Sequence, residues 1–347
     1  MKNILNLTFV IIGTLVGAGF ASGQEIYTFF FSYGIKGIIG IIISSIITGS
    51  IIYFCLEIIR KNKIENYKDF IDVIFNKNTS NKNIKKIWNI IINTFILITF
   101  FIMIAGFGAY FNQQYGLNVI LGSSILVVIT YIILKKGTKG VIILNEIIVP
   151  ILIIFIIIIG ITISKEIDFN NITNYIIRTN NKNWLISSIL YSSYNSILLT
   201  PVLISMNKII NKKEANQKIA LLTIIITIIL SLIIYAVLIK VDVNIEELEM
   251  PAVYTISKMG IVLKEIYGII LLSSIITTTI SLINSFLQNV AKNEKSYSQL
   301  TNILCITSLI ISNLGFSNLV NILYPIFGVL GLIQIWKIVS KYYCKKK

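Results

Sequence analysis

Long apolar segments alternate along the chain with short polar ones. Ten of the apolar segments are predicted as membrane-spanning helices, at residues 4–33, 37–59, 87–114, 117–134, 141–163, 183–207, 217–239, 260–289, 299–314 and 318–339. A helix needs about 20 mostly apolar residues to cross the hydrocarbon core of a bilayer. Apolar residues cover all sides of these segments, which is typical of helices that contact lipid or other helices all round. We therefore predict an all-α integral membrane protein with about ten transmembrane helices.

The composition places the chain in lipid. Of its 347 residues 55% are hydrophobic and 13% are charged, whereas soluble domains carry roughly 25% charged residues. Too few charged side chains remain to cover a surface in water, so we expect a multi-pass protein of the cell membrane. The first apolar segment resembles a signal peptide, but it continues through Phe20–Tyr33 without a small-residue cleavage site, which favours a retained first helix.

The basic residues indicate the orientation. A net charge of +15 is also found in nucleic-acid-binding proteins, but here Lys and Arg lie between the apolar spans, so we expect no nucleic-acid partner. Cytoplasmic loops of membrane proteins are enriched in Lys and Arg. Placing both termini in the cytoplasm puts most of the 30 basic residues inside, and the largest group lies in the loop 60–86. Residues 65–75 of this loop have the pattern of a short amphipathic helix.

Two of the spans are interrupted by glycine or polar residues. The first interruption runs from Gly13 to Glu25, and the second is the run Tyr191–Ser196, followed by Pro201. They fall in spans one and six, the matching positions of two five-helix halves, residues 1–163 and 183–339. The two halves would have inverted topology, and interrupted helices at matching positions point to the binding site of a transporter. We therefore predict two inverted five-helix repeats in one transporter domain, with helices 1 and 6 broken.

The first interruption allows two interpretations. Its four glycines form GxxxG spacings, which permit close helix packing. Packing alone does not explain Ser22, Gln24 and Glu25 beside the glycines, because polar residues inside a membrane span are costly and usually functional. An unwound segment explains both features, since it frees backbone N–H and C=O groups to bind a small polar solute and is tolerated where it lines a cavity.

The string Gly17-Ala-Gly-Phe-Ala-Ser-Gly-Gln-Glu25 resembles the signature of the YkvI-like membrane proteins. These form a branch of the amino acid–polyamine–organocation superfamily, which has the LeuT-type fold. The resemblance covers the whole chain in length, span number and the placing of the interruptions. It implies a secondary transporter that moves a small amino-acid-like or amine solute by alternating access.

The resemblance also implies a binding site. The string from Gly13 to Gly19 is similar to the G-x-x-V-G-x-G break of sodium-coupled members, which implies that the amides of Gly17, Ala18 and Gly19 hold a substrate carboxylate. The positive end of the half-helix after the break favours an anion there. The carbonyls of Gly13 and Val16 would face a sodium ion. The predicted substrate-binding residues are Gly17, Ala18, Gly19, Phe20, Ala21, Ser22, Gly23, Gln24, Glu25, Tyr110, Ser193, Tyr194 and Asn195.

Span eight carries a polar stripe. Ser274, Thr277, Thr278, Ser281 and Asn284 recur at the spacing of one helix face. Each hydroxyl could bond the carbonyl four residues earlier, but the stripe as a whole favours the wall of a polar cavity. By resemblance, the sodium hydroxyls lie mid-way along this helix, where Thr277 and Thr278 fall, and Ser274 is a further predicted ligand. Which two of the three threonines at 277–279 serve stays open. Oxygen ligands suit such a hard cation. No other cofactor is predicted.

Two carboxylates are predicted to lie deep in the membrane. Glu25 adjoins the first interruption and is the first candidate for a ligand or gate, because an amine would find its counter-charge there. Glu146, four residues before Pro150, either faces cytosolic water or carries protons in place of sodium. The chain has no histidine and no evident nucleophile–base pair, so we do not expect an enzyme. A ligand sensor with the same fold, similar to spore-germination receptors, stays open as a second function, and so do the oligomeric state and the substrate.

The orientation can be tested by cysteine labelling. We expect single cysteines at Asn81 and Asn211, in a variant lacking the native cysteines, to react with an impermeant reagent only from the cytoplasm. Cysteines at Asn170 and Asn244 should react only from outside, because the positively charged loops stay in the cytoplasm. Labelling at Asn244 from the cytoplasm would contradict the ten-span topology.

Overall fold

The computed structural model describes residues 2–75, 82–135, 137–164, 183–206, 212–312 and 315–344. Within these ranges the chain is helical and contains no β-strand. Six helices of the described chain are long and apolar enough to cross a membrane: Ile35–Asn62, Lys85–Tyr115, Glu146–Ile163, Lys213–Ile239, Ile261–Val290 and Phe316–Tyr343. Two shorter helices, Asn3–Leu15 and Val119–Leu134, are also apolar. The chain is a membrane protein with several apolar helices, and the total of ten spans stays a prediction.

The described residues form fourteen α-helices. In chain order they are α1 (Lys2–Leu15), α2 (Ala18–Ala21), α3 (Gln24–Phe29), α4 (Ile35–Asn62), α5 (Tyr67–Ile74), α6 (Lys82–Tyr115), α7 (Val119–Leu134), α8 (Gly137–Ser164), α9 (Trp184–Ser205), α10 (Lys213–Ile239), α11 (Pro251–Lys258), α12 (Ile261–Val290), α13 (Glu294–Ile311) and α14 (Phe316–Cys344). Each predicted span matches one of these helices, or α1–α3 for the first. Asn81, Asn170 and Asn211 lie outside the described residues.

The predicted amphipathic segment 65–75 is the helix α5. The side chain of Asn66 caps it by accepting a hydrogen bond from the backbone N–H of Asp69 at 2.9 Å, which satisfies one of the free donors at a helix start. Its apolar face is buried, with Tyr67, Phe70 and Ile74 inside. The helix therefore packs against the bundle.

The first span is broken, as predicted. It consists of three short helices separated at Val16–Gly17 and at Ser22–Gly23. Gly23 has a φ of 85°, a left-handed conformation that glycine adopts without the steric cost of a side chain. The span thus has two breaks. The polar residue Ser22 lies at the second break, and Gln24 and Glu25 follow it.

The prediction of a broken sixth span is wrong. The helix α9 runs without interruption from Trp184 to Ser205, through Tyr191–Ser196 and Pro201. Its polar side chains bond the carbonyls of their own helix: the Ser193 hydroxyl donates to Ile189 at 2.7 Å and the Asn195 amide to Tyr191 at 3.0 Å. Such local bonds satisfy polar groups without unwinding a helix.

The helix α9 lies at the centre of the bundle, where it packs against α4 and α14. Its contact with α14 depends on two glycines. A Cβ atom at Gly331 would lie 2.2 Å from the carbonyl oxygen of Ser193, and one at Gly328 would lie 2.8 Å from that of Leu190. Small residues allow membrane helices to approach this closely.

This contact predicts the effect of adding one methyl group. We expect Gly331→Ala to lower the melting temperature of the detergent-purified protein, because the backbone of α9 cannot move aside. Overpacking of this kind costs about 1–3 kcal/mol. Gly160→Ala is the comparison variant, since the three atoms nearest to a Cβ there belong to the side chain of Ile233, with Cγ1 at 2.8 Å, and a side chain shifts more easily than the backbone of α9. Equal melting temperatures for the two variants would contradict the packing described.

Candidate functional site

The first break brings the backbone of α1 against α12. Gly17 is extended, with φ −88° and ψ −164°, so the helix does not continue through it. A Cβ at Gly17 would lie 3.1 Å from Cγ2 and Oγ1 of Thr278 and 3.3 Å from the sulfur of Met103. A side chain here would press on Thr278 and Met103, so glycine favours this close approach.

The carbonyl of Gly13, at the end of α1, is met by two hydroxyls of α12. Thr278 donates to it at 2.6 Å and Thr277 at 3.4 Å, and Thr277 also donates to the Ser274 carbonyl at 2.9 Å. All three α12 residues are buried. The predicted sodium ligands Gly13, Thr277 and Thr278 thus lie together, and the Ser274 hydroxyl donates to Leu271 of its own helix.

Two of the backbone amides after the break, those of Ala18 and Phe20, have partners within the protein. The N–H of Ala18 donates to the sulfur of Met103 at 3.4 Å, and the N–H of Phe20 donates to the carboxylate of Glu25. The resemblance implied that amides of this segment hold a substrate carboxylate. In the structure a carboxylate does lie on this backbone, but it belongs to Glu25 of the same chain.

Glu25 is buried at the broken backbone, with 3% of its surface exposed. The hydroxyl of Tyr194, on α9, donates to its Oε2 atom. A Cβ at Gly19 would lie 2.3 Å from Oε1 of Glu25. Gly19 is therefore a glycine because the carboxylate rests against it.

Aromatic rings pack around Tyr194, whose hydroxyl bonds this carboxyl group. Tyr194 stacks on Phe29, with ring centroids 5.6 Å apart, and on Tyr324, at 4.7 Å. The ring of Tyr191 meets Tyr194 edge-on at 5.3 Å. All four rings are buried. They come from three helices, α3, α9 and α14, which meet at Glu25.

The short helix α11 covers the second break. The N–H of Ala252 donates to the Ser22 carbonyl at 2.8 Å, and the hydroxyl of Tyr267 donates to the carbonyl of Ala21. The side chain of Gln113 fixes the start of α11, because it accepts from the N–H of Met250 at 3.1 Å and donates to its carbonyl at 3.3 Å.

The helix α3 is tied to α14 by uncharged side chains. Gln24 donates to the Oδ1 atom of Asn321 at 3.0 Å, and Thr28 donates to the same atom at 2.7 Å. Gln24 is buried. The three side chains hold the segment after the break against α14.

No protein-family model matches the chain. It is similar over nearly its whole length to two proteins of Bacillus subtilis (strain 168). The uncharacterized membrane protein YkvI is 27% identical over 347 residues, covering 96% of this chain and 95% of that protein. The uncharacterized protein YyaD is 25% identical over 340 residues, covering 96% of each.

The fold is similar to that of several solved transporters. A sodium-coupled sialic acid symporter in a substrate-bound outward-open state superposes with a TM-score of 0.68, at 15% identity, over 97% of this chain and 78% of that one. MhsT in complex with L-phenylalanine superposes with a TM-score of 0.68, at 14% identity, over 97% of this chain and 91% of that one. The inward-facing form of Mhp1 superposes with a TM-score of 0.67, at 11% identity, over 98% of this chain and 76% of that one. The chain has the LeuT-type fold.

Within this fold, some of the predicted binding residues lie away from the break. Tyr110 is buried between α6 and α12, where a Cβ at Gly268 would lie 1.8 Å from its hydroxyl oxygen. Ser193 and Asn195 bond their own helix, and of the predicted α9 residues Tyr194 reaches Glu25. Glu146 is partly exposed on α8.

Several residues that contact the break were missed by the sequence analysis. They are Phe29, Met103, Tyr191, Ala252, Tyr267, Asn321 and Tyr324. Most are apolar or aromatic residues within apolar helices, where one more such residue carries no signal. Only Asn321, a polar residue inside a predicted span, could have been found by the rule that identified Glu25.

The contact between Gly19 and Glu25 can be tested by a double-mutant cycle. We expect Gly19→Ala to destabilise the protein by about 1–3 kcal/mol, because the added methyl group would push the Glu25 carboxyl group away from the buried Tyr194 hydroxyl that bonds it. In a Glu25→Ala background the same change should cost little, since the colliding atoms are absent. Unfolding free energies of the four proteins in detergent give the coupling.

A second cycle is the control for this experiment. The effects of Gly19→Ala and Glu265→Ala on the unfolding free energy should be additive, because Glu265, at the start of α12, is exposed and bonds Tyr115. An equal cost of Gly19→Ala with and without Glu25 would show that the two residues do not touch.

Proposed function

We propose that this protein is a secondary active transporter that moves a small amino-acid-like or amine solute by alternating access. The observation that carries the proposal is the broken first helix, whose backbone lies inside the bundle beside the buried carboxylate of Glu25. Broken membrane helices with polar groups at mid-bundle are the usual sites of secondary transporters. The LeuT-type fold, shared with a sodium-coupled symporter, supports the same function.

The proposed coupling ion is sodium. The donors at the end of α1 fit such an ion: the carbonyl of Gly13 and the hydroxyls of Thr277 and Thr278 are neutral oxygens, buried and close together. Val16 and Ser274 would complete the set. Bound there, sodium would add a positive charge that joins α1 to α12. Protons carried by Glu25 or Glu146 are the alternative source of coupling.

In the proposed arrangement the protein lies in the cell membrane with both termini in the cytoplasm. Its halves, residues 1–163 and 183–339, would form one transport domain of two inverted repeats. With this orientation the helix α11 and its neighbouring loop 240–250 face the outside, so that α11 covers the break from the outer side. Opening of that cover and closing on the inner side would give alternating access.

Uptake by the purified protein in proteoliposomes tests the function. A panel of labelled amino acids and amines is first screened by thermal shift, because a ligand that binds the folded state raises its apparent stability. A stabilising ligand should then accumulate in the vesicles when an inward sodium gradient is applied. Binding without accumulation under any ion gradient would indicate a ligand sensor with this fold instead.

The coupling ion can be identified with paired variants. We expect Thr277→Val with Thr278→Val to abolish the sodium-dependent part of uptake, because valine keeps the shape of threonine but removes the oxygen. Thr279→Val is the matched control, since that buried hydroxyl donates to Ile275 of its own helix at 2.6 Å. Uptake by this control should keep its sodium dependence.

A proton-coupled mechanism would give the opposite pattern. Uptake would then be driven by an inward proton gradient without sodium, and Glu25→Gln or Glu146→Gln would remove that response. The threonine double variant would respond like the native protein. This outcome would overturn the sodium assignment.

A further inference from the structure

Three of the hydrogen-bond donors at the break already have partners within the protein. The amide of Phe20 and the hydroxyl of Tyr194 both donate to the Glu25 carboxylate, and the amide of Ala18 faces the sulfur of Met103. A substrate carboxylate arriving here would meet a second carboxylate in a buried site. The two carboxyl groups would compete for the same donors, and one of them would have to be protonated where water is excluded.

Glu25 lacks a cationic partner among the described residues. The ion pairs found there join Glu57 to Arg60, Asp72 to Lys85 and Asp242 to Lys258. The partners of the Glu25 carboxylate are neutral donors, a tyrosine hydroxyl and a backbone amide. A carboxyl group buried without a counter-ion is held in its protonated form, and an approaching cation stabilises the ionised form because the pair offsets the cost of burying the charge.

The ring cluster around Tyr194, which reaches Glu25 through the Tyr194 hydroxyl, offers an aromatic environment to an organic cation. Tyr194, Tyr191, Tyr324 and Phe29 pack with centroid distances between 4.7 and 5.6 Å. The faces of aromatic rings attract ammonium groups through their quadrupole. The carboxylate would supply the counter-charge for the head of a cation, and the rings would contact its carbon skeleton.

An acidic cavity lies on the path from α11 toward the break. It has a volume of about 320 Å³, and the residues that line it include Glu247 and Glu249 but neither Lys nor Arg. Phe316, which also lines this cavity, packs at Gly106 next to Ala18: a Cβ at Gly106 would lie 2.9 Å from the Phe316 ring and 3.1 Å from Ala18 Cβ. The cavity therefore ends close to the broken helix. A cleft lined by one sign of charge concentrates ions of the opposite sign.

We infer that the substrate is an organic amine without a carboxylate, bound as a cation by Glu25 and the surrounding rings. The inference rests on the proposed function for the location of the site and decides between the amine and amino-acid classes. The carboxyl group of Glu25 bonds the Phe20 amide, the next amide after those of Gly17, Ala18 and Gly19, which the resemblance implied for the carboxylate of an amino acid. The protein thus supplies the carboxylate, and the substrate supplies the ammonium group.

Matched pairs of ligands test this class directly. The full-length protein in detergent is titrated with ethanolamine and serine, isoamylamine and leucine, and phenethylamine and phenylalanine. Each pair differs by one carboxylate. Binding is measured by calorimetry in sodium and in potassium chloride. We expect at least one amine to bind and its amino acid to bind far more weakly, and 3-phenylpropionate, which has the carboxylate alone, not to bind.

The role of Glu25 is tested with an isosteric variant. Glu25→Gln keeps groups that can bond Tyr194 and Phe20 but removes the charge, and it should weaken amine binding roughly 30-fold or more. Glu25→Asp keeps the charge and should retain part of the affinity. Glu265→Gln, at an exposed carboxylate that bonds Tyr115, is the matched control and should bind like the native protein. Size-exclusion profiles and melting temperatures show that each variant is folded.

The outcomes separate this inference from the proposed function. Amine binding that is lost in Glu25→Gln supports the substrate class, even if no uptake into proteoliposomes follows. Sodium-driven uptake of an amino acid that Glu25→Gln leaves unchanged would support the transporter and overturn the substrate class. The absence of binding by all three amines, or equal binding of amines by the native protein and Glu25→Gln, would also overturn it.

Discussion

Backbone hydrogen bonding in a membrane is the constraint on which this structure depends. A helix satisfies its own N–H and C=O groups. Where a helix breaks inside the bundle, other groups must bond the freed N–H and C=O groups, because leaving them without partners is costly. The first helix breaks twice, and five contacts replace the lost bonds: Thr278 to Gly13, Met103 to Ala18, Glu25 to Phe20, Tyr267 to Ala21 and Ala252 to Ser22. The break is therefore held by α3, α6, α11 and α12 together.

This arrangement connects the break to α11 and α9. The cover α11 bonds the second break directly, and α9 reaches the same segment through Tyr194 and Glu25. A solute that binds Glu25 would change the contact with Tyr194, and a cation at Gly13 would change the contact with α12. Both ligands would thus act on the same short piece of backbone, which gives a physical route for coupling between solute and ion. Ligands shift a conformational equilibrium only through such differences in contact.

The comparison of the first helix with α9 shows when a polar run breaks a membrane helix. In α9, serine, threonine and asparagine side chains donate to carbonyls one turn earlier, and even Pro201 is accommodated. The first helix has glycines at 17, 19 and 23, where the absence of a side chain lets α12, Glu25 and α11 lie close to the backbone. Close contact with other elements, rather than polarity alone, accompanies the break. For that reason the polar run in α9 was a poor predictor of unwinding.

The sequence by itself determined the helical class, the extents of the apolar helices, the amphipathic helix α5 and the break in the first span. These properties are local, since they depend on apolar length, periodicity and glycine within a few residues. Only the tertiary structure decided which side chains and backbone groups contact each other. Tyr194 donates to Glu25 across 169 residues of chain, and Ala252 reaches Ser22 from a short helix that carries no signal of its function. Such pairings depend on how helices rotate and cross when packed, which the pattern of apolar residues does not encode because every face of these helices is apolar.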